Sequence, residues 1–239
     1  MATSNEVMQK GAKVPGPFYV FELPVRIWHW LHVFSIGTLI FTGFLIATPP
    51  PTLHGEASDH FIMGYVRMVH FSAAFVFAIA WIVRVYWAFA GNRYSRELFV
   101  VPVWRAGFWR HCWHELKFYL FLTRGMRKFI GHNPLAQLAM WVTNVALVVF
   151  MICTGFALYS QGLGDGSWAD KMFGWVFTLV PSSQTVRMWH LFGMWIMLTF
   201  VIIHIYMVIR EDVYSRQNGA GAMISGWRRF RDDGPMDPQ

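Results

Sequence analysis

Four long apolar stretches alternate with polar segments along the chain, at residues 27–47, 68–90, 135–160 and 188–209. Each matches the roughly 20 residues needed to cross a bilayer core of about 30 Å. They are too long for strands, and lipid offers the backbone no hydrogen-bond partner, so all four read as transmembrane helices. Helix-ending residues mark the boundaries: Pro49-Pro50-Pro51 after the first, Gly91-Asn92 after the second, Gly162 and Gly166 after the third, and Pro181 before the fourth. The predicted organisation is an N-terminal tail (1–26), a four-helix membrane domain (27–209) with a long central loop (91–134), and a C-terminal tail (210–239). Within the loop, Phe108-Trp109, Cys112-Trp113, Leu116 and Tyr119-Leu120 recur every three or four residues, with Arg110, His114 and Lys117 between them. That spacing predicts an amphipathic helix lying on the membrane face; the alternative is a basic loop that only anchors orientation. The C-terminal tail, with Arg228, Arg229 and Arg231, reads as a surface segment with a loose end.

Composition agrees with lipid as the solvent. Of 239 residues, 55% are hydrophobic and 14% charged, where a soluble domain carries about 25% charged residues. Aromatic residues reach 18%, as expected of a chain with ring-rich membrane interfaces. A soluble enzyme, a disordered regulator and a disulfide-stapled secreted domain are excluded. The polar first 26 residues and the long apolar run after them, with Trp28, His29, Trp30 and His32, do not read as a cleavable signal.

The net charge of +7 would suggest nucleic acid were it not distributed by topology. The N-terminal tail holds three Lys or Arg, the central loop eight and the C-terminal tail five, against three in the first and third loops. The excess predicts both termini and the central loop on the cytoplasmic side, with no nucleic-acid partner. Arg84 lies inside the second span.

Ionisable residues within membrane spans are costly and point to function. Here they are His29, His32, His70, His190, His204 and Arg84, with no acidic residue among them. A proton or cation path would usually use Asp or Glu, whereas neutral imidazole suits a metal such as iron. His190 and His204 are 14 residues apart, so they differ by about 40° around one helix and lie about 21 Å apart along it. That puts one ring near each leaflet. Helix direction then gives two level pairings, His70 with His190 on the outer side and His29 with His204 on the cytoplasmic side. Four histidines at two depths read as axial ligands of two haems. His32, one turn from His29, is the alternative to it. There is no CxxCH, so the haems would be held without thioether bonds, and Cys112 and Cys153 are too far apart for a metal-ligand spacing.

Arg67 and Arg187, each one turn outside a proposed ligand, are candidate propionate contacts or membrane anchors. Arg84, 14 residues after His70, is a candidate for a propionate, a headgroup or a snorkelling position. Gly43 and Gly155 would let a flat macrocycle approach, or merely allow helices to pack. His54, His60, His111, His114 and His132 fall in loops and read as ordinary. A short internal repeat is also visible. Arg67-Met68-Val69-His70 recurs as Arg187-Met188-Trp189-His190, and Thr42-Gly43-Phe44 as Thr154-Gly155-Phe156. The alternatives are duplicated hairpins and chance matches.

The stretch Arg26-Ile27-Trp28-His29-Trp30-Leu31 with Ser35, Leu39 and Thr42-Gly43, and the stretch Arg187-Met188-Trp189-His190 with Trp195, Phe200 and His204, resemble the two signature stretches of the b-type cytochrome subunit of membrane-bound nickel–iron hydrogenases. The resemblance covers nearly the whole chain, with Met188 and Leu191 standing where a small and a basic residue are expected. It implies an all-α integral membrane protein, a four-transmembrane-helix bundle holding two b-type haems in the bacterial inner membrane. The implied partners are the hydrogenase iron–sulfur small subunit and, through it, the nickel–iron large subunit. Electrons would pass from hydrogen to the His70/His190 haem, then to the His29/His204 haem, then to quinone (menaquinone or ubiquinone). The chain itself would not split hydrogen, having no Cys set for nickel or a cluster.

Related dihaem subunits of formate dehydrogenase imply a quinone near the cytoplasmic haem, beside a helix entry. The matching neighbourhood is Asn133-Pro134 with Gln137, where two amides one turn apart are candidate quinone contacts; Asn133 is equally an N-cap. Two other readings stay open: the cytochrome subunit of a formate dehydrogenase or thiosulfate reductase, and a histidine-lined transporter or proton channel.

Overall fold

The structure, a computed structural model, describes residues 17–51, 60–123, 129–214 and 218–230. His54, most of the N-terminal tail and the residues from Arg231 onward lie outside them.

Among the described residues the four long helices are α1 (Leu23–Ala47), α2 (Ile62–Ala90), α5 (Pro134–Leu163) and α8 (Ser183–Tyr214). Each begins before the apolar stretch it contains, because hydropathy marks only the lipid-facing middle while the backbone ladder continues into polar turns. Pro24 sits in the first turn of α1, where its missing N–H costs nothing. At α5, Asn133 Oδ1 accepts from the Ala136 N–H at 2.7 Å and Pro134 follows as the first helical residue. Within α5, Val142–Leu147 opens into a π turn, with Thr143 and Asn144 buried. Nothing in the apolar pattern announces that turn. Shorter helices are α3 (Arg93–Arg96), α4 (Ala106–Tyr119), α6 (Trp168–Phe173), α7 (Trp175–Leu179) and α9 (Gly219–Ser225).

The chain divides into two compact units. One comprises Trp28–Val83 and Ala146–Val201. In it, segments of all four long helices share a core of Phe77, Val148 and Met197, flanked by Ile36, Leu39 and Phe200. A second cluster packs Ala157 of α5 and Val186 of α8 against Val176 of α7.

The other unit comprises Met1–Ile27, Arg84–Val145 and Ile202–Gln239. Here α4 forms where the loop periodicity predicts it, but its buried face is Phe108, Cys112, Glu115 and Phe118. Trp109 and Trp113 are exposed. Adjacent residues lie about 100° apart around a helix, so only the first of each apolar pair can face inward. The fully buried Glu115 had no signature in the pattern.

Within the C-terminal tail, Arg228 is not at the surface as expected, while the end expected to be loose lies outside the described residues. Trp227–Arg228 (β2) pairs antiparallel with Phe18–Tyr19 (β1), a minor exception among described residues whose other regular elements are helical. Gly226, at φ 87°, turns the chain after α9 so that its carbonyl accepts from the Val20 and Phe21 N–H groups at 2.9 and 3.2 Å. Arg228 is buried and donates to the Gly131 carbonyl at 3.0 Å. Pairing needs both ends of the chain at once, which no local pattern encodes.

Candidate functional site

The unit built on Trp28–Val83 and Ala146–Val201 contains a cavity of about 860 Å³, within the size range of ordinary ligand pockets. His70 of α2 and His190 of α8 both line it, with Gly43, Gly155, Arg67 and Arg187. The remaining lining is mostly aliphatic and aromatic. Both arginines are exposed, so they stand at the cavity's mouth.

Each histidine is held by the same device. Thr42 Oγ1 stands 2.8 Å from His70 Nδ1 and donates to the Thr38 carbonyl at 2.6 Å. Thr154 Oγ1 stands 2.8 Å from His190 Nδ1 and donates to the Phe150 carbonyl at 2.7 Å. A carbonyl can only accept, so each hydroxyl spends its single proton on the preceding turn and presents a lone pair to the imidazole. The ring must then carry its proton on Nδ1, which leaves the Nε2 lone pair free. The next residue is Gly in both cases. A Cβ at Gly43 would stand 3.4 Å from His70 Cε1, and one at Gly155 only 3.1 Å from His190 Cε1. The two sequence repeats therefore correspond in space, hydroxyl to ring and glycine to ring.

Residues 20–226 match the family described as prokaryotic cytochrome b561. The chain belongs to that family. A relative from Azotobacter chroococcum, named a probable Ni/Fe-hydrogenase B-type cytochrome subunit, is 54% identical over 91% of this chain and 90% of its own length. One of the same name from Bradyrhizobium diazoefficiens is 53% identical, covering 90% and 87%. A probable Ni/Fe-hydrogenase 1 B-type cytochrome subunit from Escherichia coli K12 is 47% identical, covering 89% and 91%.

A b-type cytochrome carries haem b, and the cavity suits one. It offers two imidazoles with Nε2 available, two arginines for carboxylates, apolar walls, and glycines where side chains would crowd the rings. Of the other histidines singled out in the sequence, His29 lies in the unit of Trp28–Val83 and His204 in the unit of Ile202–Gln239. The His29 ring stands edge-on to Trp30 at 5.3 Å. His32 is buried, its ring packed on Trp28 at 4.6 Å and Phe77 at 4.4 Å, which gives it a structural place.

Arg84 does not snorkel. It is 3% exposed, donates through Nη2 to the Ser95 carbonyl at 2.7 Å, and lies over the Phe99 ring. Asn133 and Gln137 are also buried and engaged. Asn133 Nδ2 donates to Glu211 Oε1 at 2.9 Å and Tyr119 Oη at 3.2 Å, while its Oδ1 caps α5. Gln137 Nε2 donates to the Glu97 and Val100 carbonyls at 2.7 and 3.1 Å. The amide donors of both residues thus serve the protein, and contact with a quinone carbonyl would require these bonds to be exchanged. Two of the loop histidines also have partners: His132 Nδ1 stands 3.0 Å from Glu97 Oε2, and His114 Nδ1 3.5 Å from Glu115.

Sequence reasoning missed the polar cluster around Tyr119. Its hydroxyl donates to Glu211 Oε1 at 2.6 Å. Desolvation, then the Glu211 charge, holds the phenol well above its usual range. Burial lowers Arg228, against the pull of Glu211 and Asp212.

Proposed function

We propose that this chain is the membrane electron conduit of a nickel–iron hydrogenase, taking electrons from the iron–sulfur small subunit and delivering them to quinone. The observation that carries the reading is the cavity lined by His70 and His190, each ring fixed by a threonine as the Nδ1–H tautomer. The names of the relatives, all hydrogenase B-type cytochrome subunits, support the choice of donor. Haem b, when bound, supplies a one-electron couple tuned by axial ligation, hydrogen bonding and burial.

The chain's own contribution is placement. Threonine-held imidazoles present Nε2, Arg67 and Arg187 offset the charge of carboxylates at the cavity mouth, and the apolar walls exclude water. A second haem between His29 and His204 rests on helix spacing, and quinone contact at Asn133 and Gln137 on their place at a helix entry. Cytoplasmic termini are supported by the Lys and Arg distribution, and the bacterial inner membrane by the likeness to hydrogenase B-type cytochrome subunits.

The test has two stages. Membranes carrying the complex should show b-type bands on dithionite reduction at two haems per chain; colourless protein would sink the reading in favour of a histidine-lined transporter. Hydrogen should then reduce those haems in the co-purified complex. Failure at that second stage would point to another donor, as in a formate dehydrogenase or thiosulfate reductase.

A further inference from the structure

Resting on the haem reading of the His70/His190 cavity, we infer that Thr42 and Thr154 are paired positioning residues that fix the His70 and His190 imidazoles and would tune the potential of a haem those rings hold. Four observations support it. Both hydroxyls are buried, Thr42 at 5% and Thr154 at 6% exposure. Each is pinned by a bond to its own helix's carbonyl four residues back. Each meets Nδ1 at the same 2.8 Å. Each is followed by the glycine that leaves room for the ring.

The direction of the effect follows from the proton. An Nδ1–H that donates to oxygen pushes electron density toward Nε2, making the ring a stronger base toward iron, and a stronger base favours the ferric state. Outer partners of metal-bound histidines act in this way and their loss commonly changes metal affinity 10- to 100-fold. A threonine whose proton were free to turn toward Nδ1 would select the opposite tautomer and present N–H toward the metal. The backbone carbonyl prevents that. The methyl group of threonine takes no part in either bond, so serine should serve as well and valine should not.

The experiment is a redox titration of the complex in membranes carrying Thr42→Val, Thr42→Ser, Thr154→Val or Thr154→Ser, with low-temperature electron paramagnetic resonance of the oxidised haems. Each valine variant should shift the oxidised-to-reduced equilibrium of one and the same haem about tenfold toward reduction, a rise of about 59 mV for one electron. The other haem should be unchanged, and both serine variants should titrate as wild type. Loss of that one haem in a valine variant, with retention in the matching serine variant, would equally support the inference. It is overturned if the valine variants titrate and resonate as wild type. It is also overturned if serine is as damaging as valine, or if Thr42→Val and Thr154→Val act on different haems. Wild-type chain without haem would instead defeat the underlying reading.

Discussion

Substituting Gly155 by Ala tests how closely the His190 ring is gripped. The new Cβ would stand 3.1 Å from His190 Cε1 and 3.8 Å from Nε2, while carbon atoms rest at about 3.5–4.0 Å. The ring must therefore retreat by about 0.4 Å. Moved directly away from Thr154, that would stretch the 2.8 Å bond to the long edge of the normal range. Overpacking of this kind costs about 1–3 kcal/mol, and replacing a helical Gly by Ala returns up to about 1 kcal/mol. The net destabilisation is about 1 kcal/mol, or about fivefold in the population holding the ring in place. At Gly43 the corresponding contact is 3.4 Å, with the pliable Met194 sulfur at 3.5 Å as the next neighbour. Gly43→Ala should be close to neutral on the protein's account. The assay is thermal release of haem from purified complex, followed by the reduced-band absorbance. Gly155→Ala should release one haem at lower temperature than Gly43→Ala. Equal curves, or the reverse order, would show that the ring contacts do not govern the site.

Three further outcomes are expected. Replacing His70 or His190 by Ala should remove the same haem and leave one per chain by pyridine haemochrome assay, with His29→Ala or His204→Ala removing the other; a His29→Ala chain that keeps both would make His32 the ligand. Glu22 Oε2 accepts from Trp87 Nε1, the Asn92 N–H and Ser95 Oγ at 3.0, 2.8 and 3.2 Å, and Ser95 Oγ also reaches Asn92 Oδ1 at 3.3 Å, so Glu22→Ala should cost about 2–4 kcal/mol by stranding the Trp87 and Asn92 donors, read as a lower melting temperature with Glu22→Gln intermediate. Desolvation pushes the Cys112 thiol up to about 11 from 9.0, so the folded chain favours the neutral thiol: its contribution to stability is fully present below pH 9 and is lost as pH rises toward 11. Maleimide at pH 8 should accordingly spare Cys112 until the chain is unfolded.

The sequence by itself determined the membrane class, the four spanning helices and the histidines worth attention, because each is a one-dimensional signal. Apolar length maps onto bilayer thickness, and a fixed 100° step per residue places His190 and His204 on one face. It also carried the Thr-Gly and Arg-x-x-His repeats, though not what they were for. Only tertiary structure decided that Thr42 reaches the ring of His70, 28 residues away, and Thr154 that of His190, 36 away. The same holds for Arg84 turning into Ser95, for Asn133 and Gln137 committing their donors inside the protein, and for the C-terminal strand closing on Phe18 and Tyr19. Polar groups buried away from water take whichever partner the packing brings within about 3 Å, and that partner belongs to another element or loop of the chain. Periodicity records which face a side chain occupies, and the neighbouring helix decides what that face meets.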